Sequence, residues 1–169
     1  YVRALAGEFG YAVAPTPTCE VGGERVSSTR IRKALGQADF EDATRLLGRP
    51  FEISGRVQHG QKLGRQLGTP TANIALHRIR SPLQGVYVVN VSGAGMREAA
   101  GVANVGVKPT IGSSLKATLE AHVLEGSPDL YGQRLTVRFV HKLRDEKKFP
   151  SLDALKAGIA ADKANARAW

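Results

Sequence analysis

The sequence predicts a mainly β protein, an antiparallel barrel or sandwich that ends in a C-terminal helix and follows a short α-rich segment. Three observations carry this expectation. From Phe51 onward, five stretches rich in β-branched and aromatic residues succeed one another at short spacing, separated by glycine, proline or serine. No long helical pattern lies between them, as the crossovers of a parallel sheet would require. Beyond Pro150 the apolar period changes from two to nearly four, which marks a helix.

The first stretch, residues 1 to about 48, reads as α-rich with a break in the middle. Gly10 to Pro15 is a short strand-like run. Ser27 or Ser28 can cap a helix that carries Ile31 and Leu35 and ends at Gly36. Asp39 can cap a second helix, on which Phe40, Ala43, Leu46 and Leu47 share a face before Gly48 and Pro50 stop it. This stretch offers too little apolar surface to fold securely alone. The strands are expected at Phe51–His59, Gly85–Val91, Glu98–Val107, Ala117–Leu124 and Leu135–Leu143. The last helix is expected from Ser151, its cap, to about Ala168, with Leu152, Leu155 and Ile159 as its apolar stripe.

Composition narrows the function classes without choosing one. Hydrophobic residues make up 42% of the 169, which speaks against disorder. No apolar run approaches a bilayer span, and the N-terminus lacks the basic-then-apolar order of a signal peptide. Cys19 is the single cysteine, so no internal disulfide can form and a reducing cytoplasm is the expected compartment. The formal charge of +9, from 24 Lys and Arg against 15 Asp and Glu, suits an anionic partner. It does not separate a nucleotide from a nucleic acid. A single-strand nucleic-acid barrel would interleave aromatics with Lys and Arg as stacking platforms, and aromatics are only 6% here, without such interleaving.

Several segments could carry chemistry. Gly60 to Asn73 is glycine-rich and basic. Gly60, Gly64 and Gly68 let the backbone approach a ligand and point amides at phosphate oxygens, with Lys62 and Arg65 as counter-charge. It is neither a Walker loop nor a dinucleotide fingerprint, and a plain turn region accounts for it about as well. Pro70 biases Thr69 to an extended conformation. If the chain stays extended, Thr71 and Asn73 project on one side and Ala72 on the other. A hydroxyl and an amide carbonyl side by side are hard oxygen ligands suited to Mg²⁺ held with nucleotide phosphates, and a turn bonding its own backbone is the plainer alternative. In Thr118-Leu-Glu-Ala-His-Val-Leu124, alternation places Thr118, Glu120 and His122 on one face. Glu120 is the best-placed acid to accept a proton from a hydroxyl nucleophile. His122 has no second His or Cys at ligand spacing and more readily orients a neighbour or pairs across the strand than binds metal. Gly101 to Thr110, Asp129 to Gly132 and Leu143 to Phe149 each read as structure when taken alone.

Together and in this order the segments resemble the riboflavin kinase family, and more closely the kinase half of the bacterial bifunctional riboflavin kinase/FAD synthetase. The resemblance rests on the glycine-rich loop running into Pro70-Thr-Ala-Asn73, on Asn104-Val-Gly with Pro109-Thr110, and on Leu119-Glu-Ala-His122. Asp129-Leu-Tyr-Gly132, Arg144 with Glu146 and Phe149, and the helix from Asp162 to Arg167 complete it, over about residues 49 to 169. It implies a six-stranded antiparallel Greek-key barrel with a C-terminal helix. It implies riboflavin and ATP as substrates, FMN and ADP as products, and Mg²⁺ as cofactor at Thr71 and Asn73. Glu120 would be the general base. ATP would be held by Gly60, Lys62, Gly64, Arg65, Thr71, Asn73, Asn104, Gly106, Thr110 and Tyr131, and the flavin by Arg144 and Glu146. Lys108 stands where the family usually has arginine, and Ile111 where an aromatic is common.

Val26-Ser-Ser-Thr-Arg-Ile-Arg32 resembles the last motif of the FAD synthetase's nucleotidyltransferase domain. Residues 1–48 are therefore expected to be the C-terminal remnant of a Rossmann-like FMN adenylyltransferase domain, and 49–169 the riboflavin kinase domain. The His-containing phosphate motif of that first domain is absent, so no FMN adenylylation is expected. No nucleic acid or membrane partner is expected, and self-association is a feature considered for the full-length enzyme only.

Overall fold

Local signals set the helix boundaries. The computed structural model describes residues 2–14, 17–59, 70–76, 81–109, 115–126 and 129–169, with the backbone alone at 108, 109, 115 and 116. Helix α1 (Val2–Phe9) is followed by a small hairpin of β1 (Glu20–Val21) and β2 (Glu24–Arg25), then α2 (Ser28–Gly36) and α3 (Phe40–Leu47). The Ser27 hydroxyl accepts from the Arg30 amide at 3.2 Å, and the Asp39 carboxylate accepts from the Asp42 amide at 2.9 Å, so both expected caps are made. Gly48, with φ +70°, ends α3 in the left-handed conformation that glycine adopts at least cost. The strand expected over Gly10–Pro15 is not formed: residues 11–14 carry no regular structure, and Pro15 lies outside the described residues. Tyr11 and Val13 are exposed there, and a strand without a ladder partner has nothing to hold it.

The strands β3 (Glu52–Gln58), β4 (Ala72–Ala75), β5 (Gly85–Gly93), β6 (Met96–Pro109), β7 (Leu115–Val123) and β8 (Arg134–Arg144) close an antiparallel barrel in the order β3-β4-β7-β6-β5-β8. β5, β6 and β7 form a meander and β8 returns beside β5, which is the Greek-key order. The five strands expected from the sequence are all present, and Ala72–Ala75, just after Thr71, supplies the sixth as β4. Its four residues carry too little alternation to declare themselves. Each strand sends alternate side chains inward: Val57, Ala72 and Ile74, Tyr87 with Val89 and Val91, Ala103 and Val105, Leu119 with Ala121 and Val123, and Leu135 with Val137 and Phe139. Gly85 and Gly93 sit at φ near +117° and +116° where β5 meets β8, and a Cβ at either would strike the carbonyl of Arg144 or Arg134.

The interior continues out of one barrel mouth. Ala34, Leu35, Phe40 and Ala43 of α2 and α3 belong to the same buried cluster as the barrel residues. Phe40 lies edge-on to Tyr87 at 5.9 Å and stacked on Phe139 at 6.1 Å, while Tyr87 and Phe139 meet edge-to-face at 5.4 Å. The Tyr87 hydroxyl donates to the Gln84 carbonyl at 2.7 Å and accepts from the Gln84 amide at 3.0 Å. Burial pushes this phenol up to about 12. Residues too poor in apolar surface to fold alone thus complete their core on the barrel.

The C-terminal helix α4 (Leu152–Arg167) is capped by Ser151, whose hydroxyl accepts from the Ala154 amide at 3.1 Å. Its stripe is displaced from expectation. Leu152 is 52% exposed, whereas Asp162 and Ala166 are buried. The buried line runs on through the positions after Leu155 and Ile159 at the same spacing, because the helix docks by its C-terminal half. Ala166 packs with Val88 and Leu124 on the outside of the barrel, beside Val102, Val140 and Leu143. Among the described residues no helix is long and apolar enough to cross a membrane.

Since Phe40 bridges α3 to two barrel aromatics, Phe40→Ala is expected to destabilise the whole barrel by about 3 kcal/mol. Urea denaturation followed by far-UV circular dichroism checks this. A loss confined to helical signal, with the β transition unmoved, would show that α3 is not part of the barrel's cooperative unit.

Candidate active site

Directly paired residues of antiparallel strands project to the same side. Gln58 pairs with Asn73, Asn73 with Glu120, Glu120 with Asn104, and Asn104 with Val86. Their chain neighbours Val57, Ala72, Ile74, Leu119, Ala121, Ala103 and Val105 fill the interior, so the row lies on the outer wall. Asn73, Glu120 and Asn104, contributed by three adjacent strands, are half-buried there. Thr118 stands two residues before Glu120, opposite Ala75 and Gly106, and its hydroxyl reaches the Gly106 carbonyl at 3.5 Å.

The segment after β8 adds a second carboxylate. The Asn104 amide nitrogen donates to Glu146 Oε1 at 3.4 Å. A Cβ on Gly106 would collide with that same carboxylate, so the absence of a side chain at 106 is what lets Glu146 lie against β6. The other end of the Asn104 amide, Oδ1, is buried without a hydrogen-bond partner among the described residues. Glu146 is carried to this place by its neighbours. Arg144 donates from Nε and Nη2 to the two oxygens of Asp162 on α4, at 2.8 and 2.6 Å, a bidentate pair that satisfies a buried carboxylate. Phe149 lies beneath the Arg144 guanidinium, 5.6 Å to the ring centroid, and packs into the space above Gly158.

His122, two residues after Glu120 on the same strand face, is 8% exposed. Its Nδ1 is 2.8 Å from the Pro70 carbonyl, which can only accept, so the ring carries its proton on Nδ1. Nε2 is buried without a partner among the described residues. Burial above all, and then the cations of Lys163 and Arg167, hold the imidazole below its usual range and therefore neutral, while the bond to Pro70 opposes that shift.

The structure brings together Asn73, Glu120, Asn104, Gly106 and Glu146 of the residues singled out by sequence. Thr71, half-buried, immediately precedes β4. Tyr131 stands elsewhere: its ring stacks on His59 at 4.3 Å, at the end of β3 that leads into residue 60. Arg144 shares the Val86 row but turns its guanidinium to Asp162. Gly60, Lys62, Gly64, Arg65 and Thr110 lie outside the described residues. Sequence reasoning missed Gln58, which register alone adds to the row, and the pairing of Asp162 with Arg144, for which an acid falling on the apolar line of the last helix was the available signal. No group of three or more His, Cys, Asp and Glu gathers as a metal site among the described residues.

Residues 47–169 match the riboflavin kinase (flavokinase) family model. The chain is 58% identical over 159 residues to a bifunctional riboflavin kinase/FMN adenylyltransferase of Pseudomonas fluorescens, covering 94% of this chain and 51% of that protein. It is 48% identical to the protein of the same description from Escherichia coli K12, covering 95% and 51%. The chain thus spans about half the length of these curated relatives. Among solved structures, a riboflavin kinase from Trypanosoma brucei aligns with TM-score 0.50 at 26% identity, covering 70% of this chain and 75% of that one. A structure described as a macrolide-efflux protein from Streptococcus pneumoniae aligns with TM-score 0.76 at 34% identity over 99% of this chain and 55% of its own.

The Arg144–Asp162 pair ties α4 to the end of β8. Asp162→Ala is expected to lower stability by roughly 2–3 kcal/mol, since it leaves a partly buried guanidinium without its counter-charge. Chemical denaturation measures this, and a loss below about 0.5 kcal/mol would mean that α4 docks by apolar contact alone.

Proposed function

The chain belongs to the riboflavin kinase family, and on that premise we propose that it transfers the γ-phosphate of ATP to the 5′-hydroxyl of riboflavin, giving FMN and ADP. The observation that carries the reading is the row on the outer wall, in which Glu120 stands between Asn73 and Asn104 with Glu146 beside it. Phosphoryl transfer depends mainly on alignment and charge neutralisation, with no covalent intermediate required. A carboxylate flanked by amides on adjacent strands suits that demand. Glu120 orients the ribityl hydroxyl and accepts its proton late in the transfer.

Thr71 and Asn73 offer two hard oxygens and leave the other positions of a cation to phosphate and water, which fits Mg²⁺ accompanying a nucleotide. When bound, that ion neutralises charge on the phosphates. On the nucleotide side, Asn104, Gly106 and Tyr131 are assigned to ATP by the resemblance, together with Gly60, Lys62, Gly64, Arg65 and Thr110. Glu146, held by Asn104 and seated on Gly106, contacts the flavin. Arg144 serves the flavin loop through Asp162 and Phe149, by fixing the chain on either side of Glu146. Residues 49–169 form the kinase domain in this reading, and residues 1–48 derive from a nucleotidyltransferase domain, a division supported by the likeness of Val26–Arg32 to that domain's last motif.

Incubation with riboflavin, ATP and Mg²⁺ followed by chromatography of the flavins is expected to show FMN, and riboflavin unchanged would sink the proposal. Glu120→Gln is expected to lower turnover by roughly 10²–10⁴-fold while nucleotide binding persists, the usual span of general-base assistance. Wild-type turnover in that variant would remove Glu120 from the base role. For Asn73→Ala, the Mg²⁺ concentration at half-maximal rate is expected to rise several-fold, and an unmoved metal dependence would take Asn73 away from the cation.

A further inference from the structure

The β4–β7 ladder ends at the pair Ala72 and Ala121. Pro70 has no amide proton with which to extend it. The next link is made by a side chain, from His122 Nδ1 to the Pro70 carbonyl at 2.8 Å, across 52 residues of sequence. Thr71 lies between these two anchors, one residue from each. His122 stands two residues from Glu120 on the same face of β7. One ring therefore joins the strand that bears Glu120 to the chain that enters β4 with Thr71 and Asn73.

The rest of the ring's surroundings argue against simple space filling. His122 is buried, and Nε2 finds no partner among the described residues, so the residue bears the desolvation of one nitrogen to place a donor with the other. An aliphatic side chain would fill the same room without that burden. From this geometry we infer that His122 is a positioning residue: it sets the spacing between the Thr71–Asn73 oxygens and Glu120 by holding the Pro70 carbonyl against β7. The inference rests on the kinase reading for its consequence, and on the hydrogen bond alone for its mechanics.

The test compares His122→Leu, which fills the space without a donor, with His122→Asn, whose amide nitrogen comes close to the place of Nδ1. In His122→Leu the KM for Mg²⁺-ATP is expected to rise roughly three- to tenfold, the range that one lost hydrogen bond represents, with the riboflavin KM within about twofold of wild type. His122→Asn is expected to restore the ATP KM. An unchanged ATP KM in His122→Leu, an equal rise in both KM values, or an Asn variant no better than Leu each overturns the inference. If His122→Leu does not fold, His122→Asn is set against His122→Gln, whose amide sits one bond too far out. The Gln variant should show the raised ATP KM, and equal values in the two overturn the inference. Hydrogen exchange of residues 71–75 reads the link without activity and should be about tenfold faster in His122→Leu. Faster exchange in a protein whose wild type makes no FMN would overturn the kinase reading and leave only the mechanical link. FMN formation with unchanged exchange would overturn the link alone.

Discussion

Register around the closed barrel is the constraint on which everything else depends. Side chains alternate with a period of two, so inward positions are committed once the pairing is set. The inside is filled by Ile74, Leu119, Leu135, Val89, Val105 and their neighbours, which leaves no room for substrate. Polar groups at the alternate positions must stand on the outer wall. A slip of one residue in β7 would bury Glu120 and expose Leu119 and Ala121. Glycines guard against such slips where chains come close: a Cβ at Gly101 would press on the His122 carbonyl and on Val89 and Val91, and one at Gly55 on Ile74. The row Asn73, Glu120, Asn104 is thus a consequence of how the core is filled.

An outer wall needs a roof if its polar groups are to work away from bulk water. Helix α4 covers Val88, Val102, Leu124, Val140 and Leu143, next to the row. The helix is weakly amphipathic, and its anchorage depends on Asp162, a buried acid that is tolerable there because Arg144 meets both its oxygens. The same arginine lies at the last residue of β8, so docking the helix also fixes where the chain leaves the barrel. Two residues later that chain delivers Glu146 to Gly106. Stability and site geometry share one ion pair.

The fold was legible from the sequence wherever alternation is long enough to count. β3, β5, β6, β7 and β8 could be placed from periodicity, and the caps Ser27, Asp39 and Ser151 from residue type. β4 was not, since Ala72-Asn-Ile-Ala75 is too short to show a period, and only its pairing with β3 and β7 makes it a strand. The run from Gly10 had strand-like residues and no ladder partner among the described residues, the opposite failure. In the candidate site, Glu120, Thr71 and Asn73 could be nominated by chemistry, and family resemblance added Asn104 and Glu146. That the two carboxylates lie around one amide was not readable, because it depends on the pairing of β6 with β7 and on a loop folding back over a glycine. Arg144 shows the limit most clearly. Sequence marks it as a charged loop residue beside a ligand, yet its direction is set by an acid on a helix eighteen positions later.

The packing of α2 and α3 bears on where the kinase unit begins. The family match starts at residue 47, and the motif from Val26 to Arg32 resembles a different catalytic domain. Burial draws the line elsewhere. Phe40 is buried between Tyr87 and Phe139, and Leu35 and Ala43 are as deeply enclosed as the barrel's own residues. A chain cut at residue 48 would uncover that mouth of the barrel and expose Tyr87 and Phe139 to water, at about 25 cal/mol for each Å² of apolar surface. The unit that folds together therefore begins upstream of α2, near its cap Ser27, although the unit that resembles kinases in sequence begins some twenty residues later. The two helices close one mouth of the barrel, and their buried face is part of the barrel's own core.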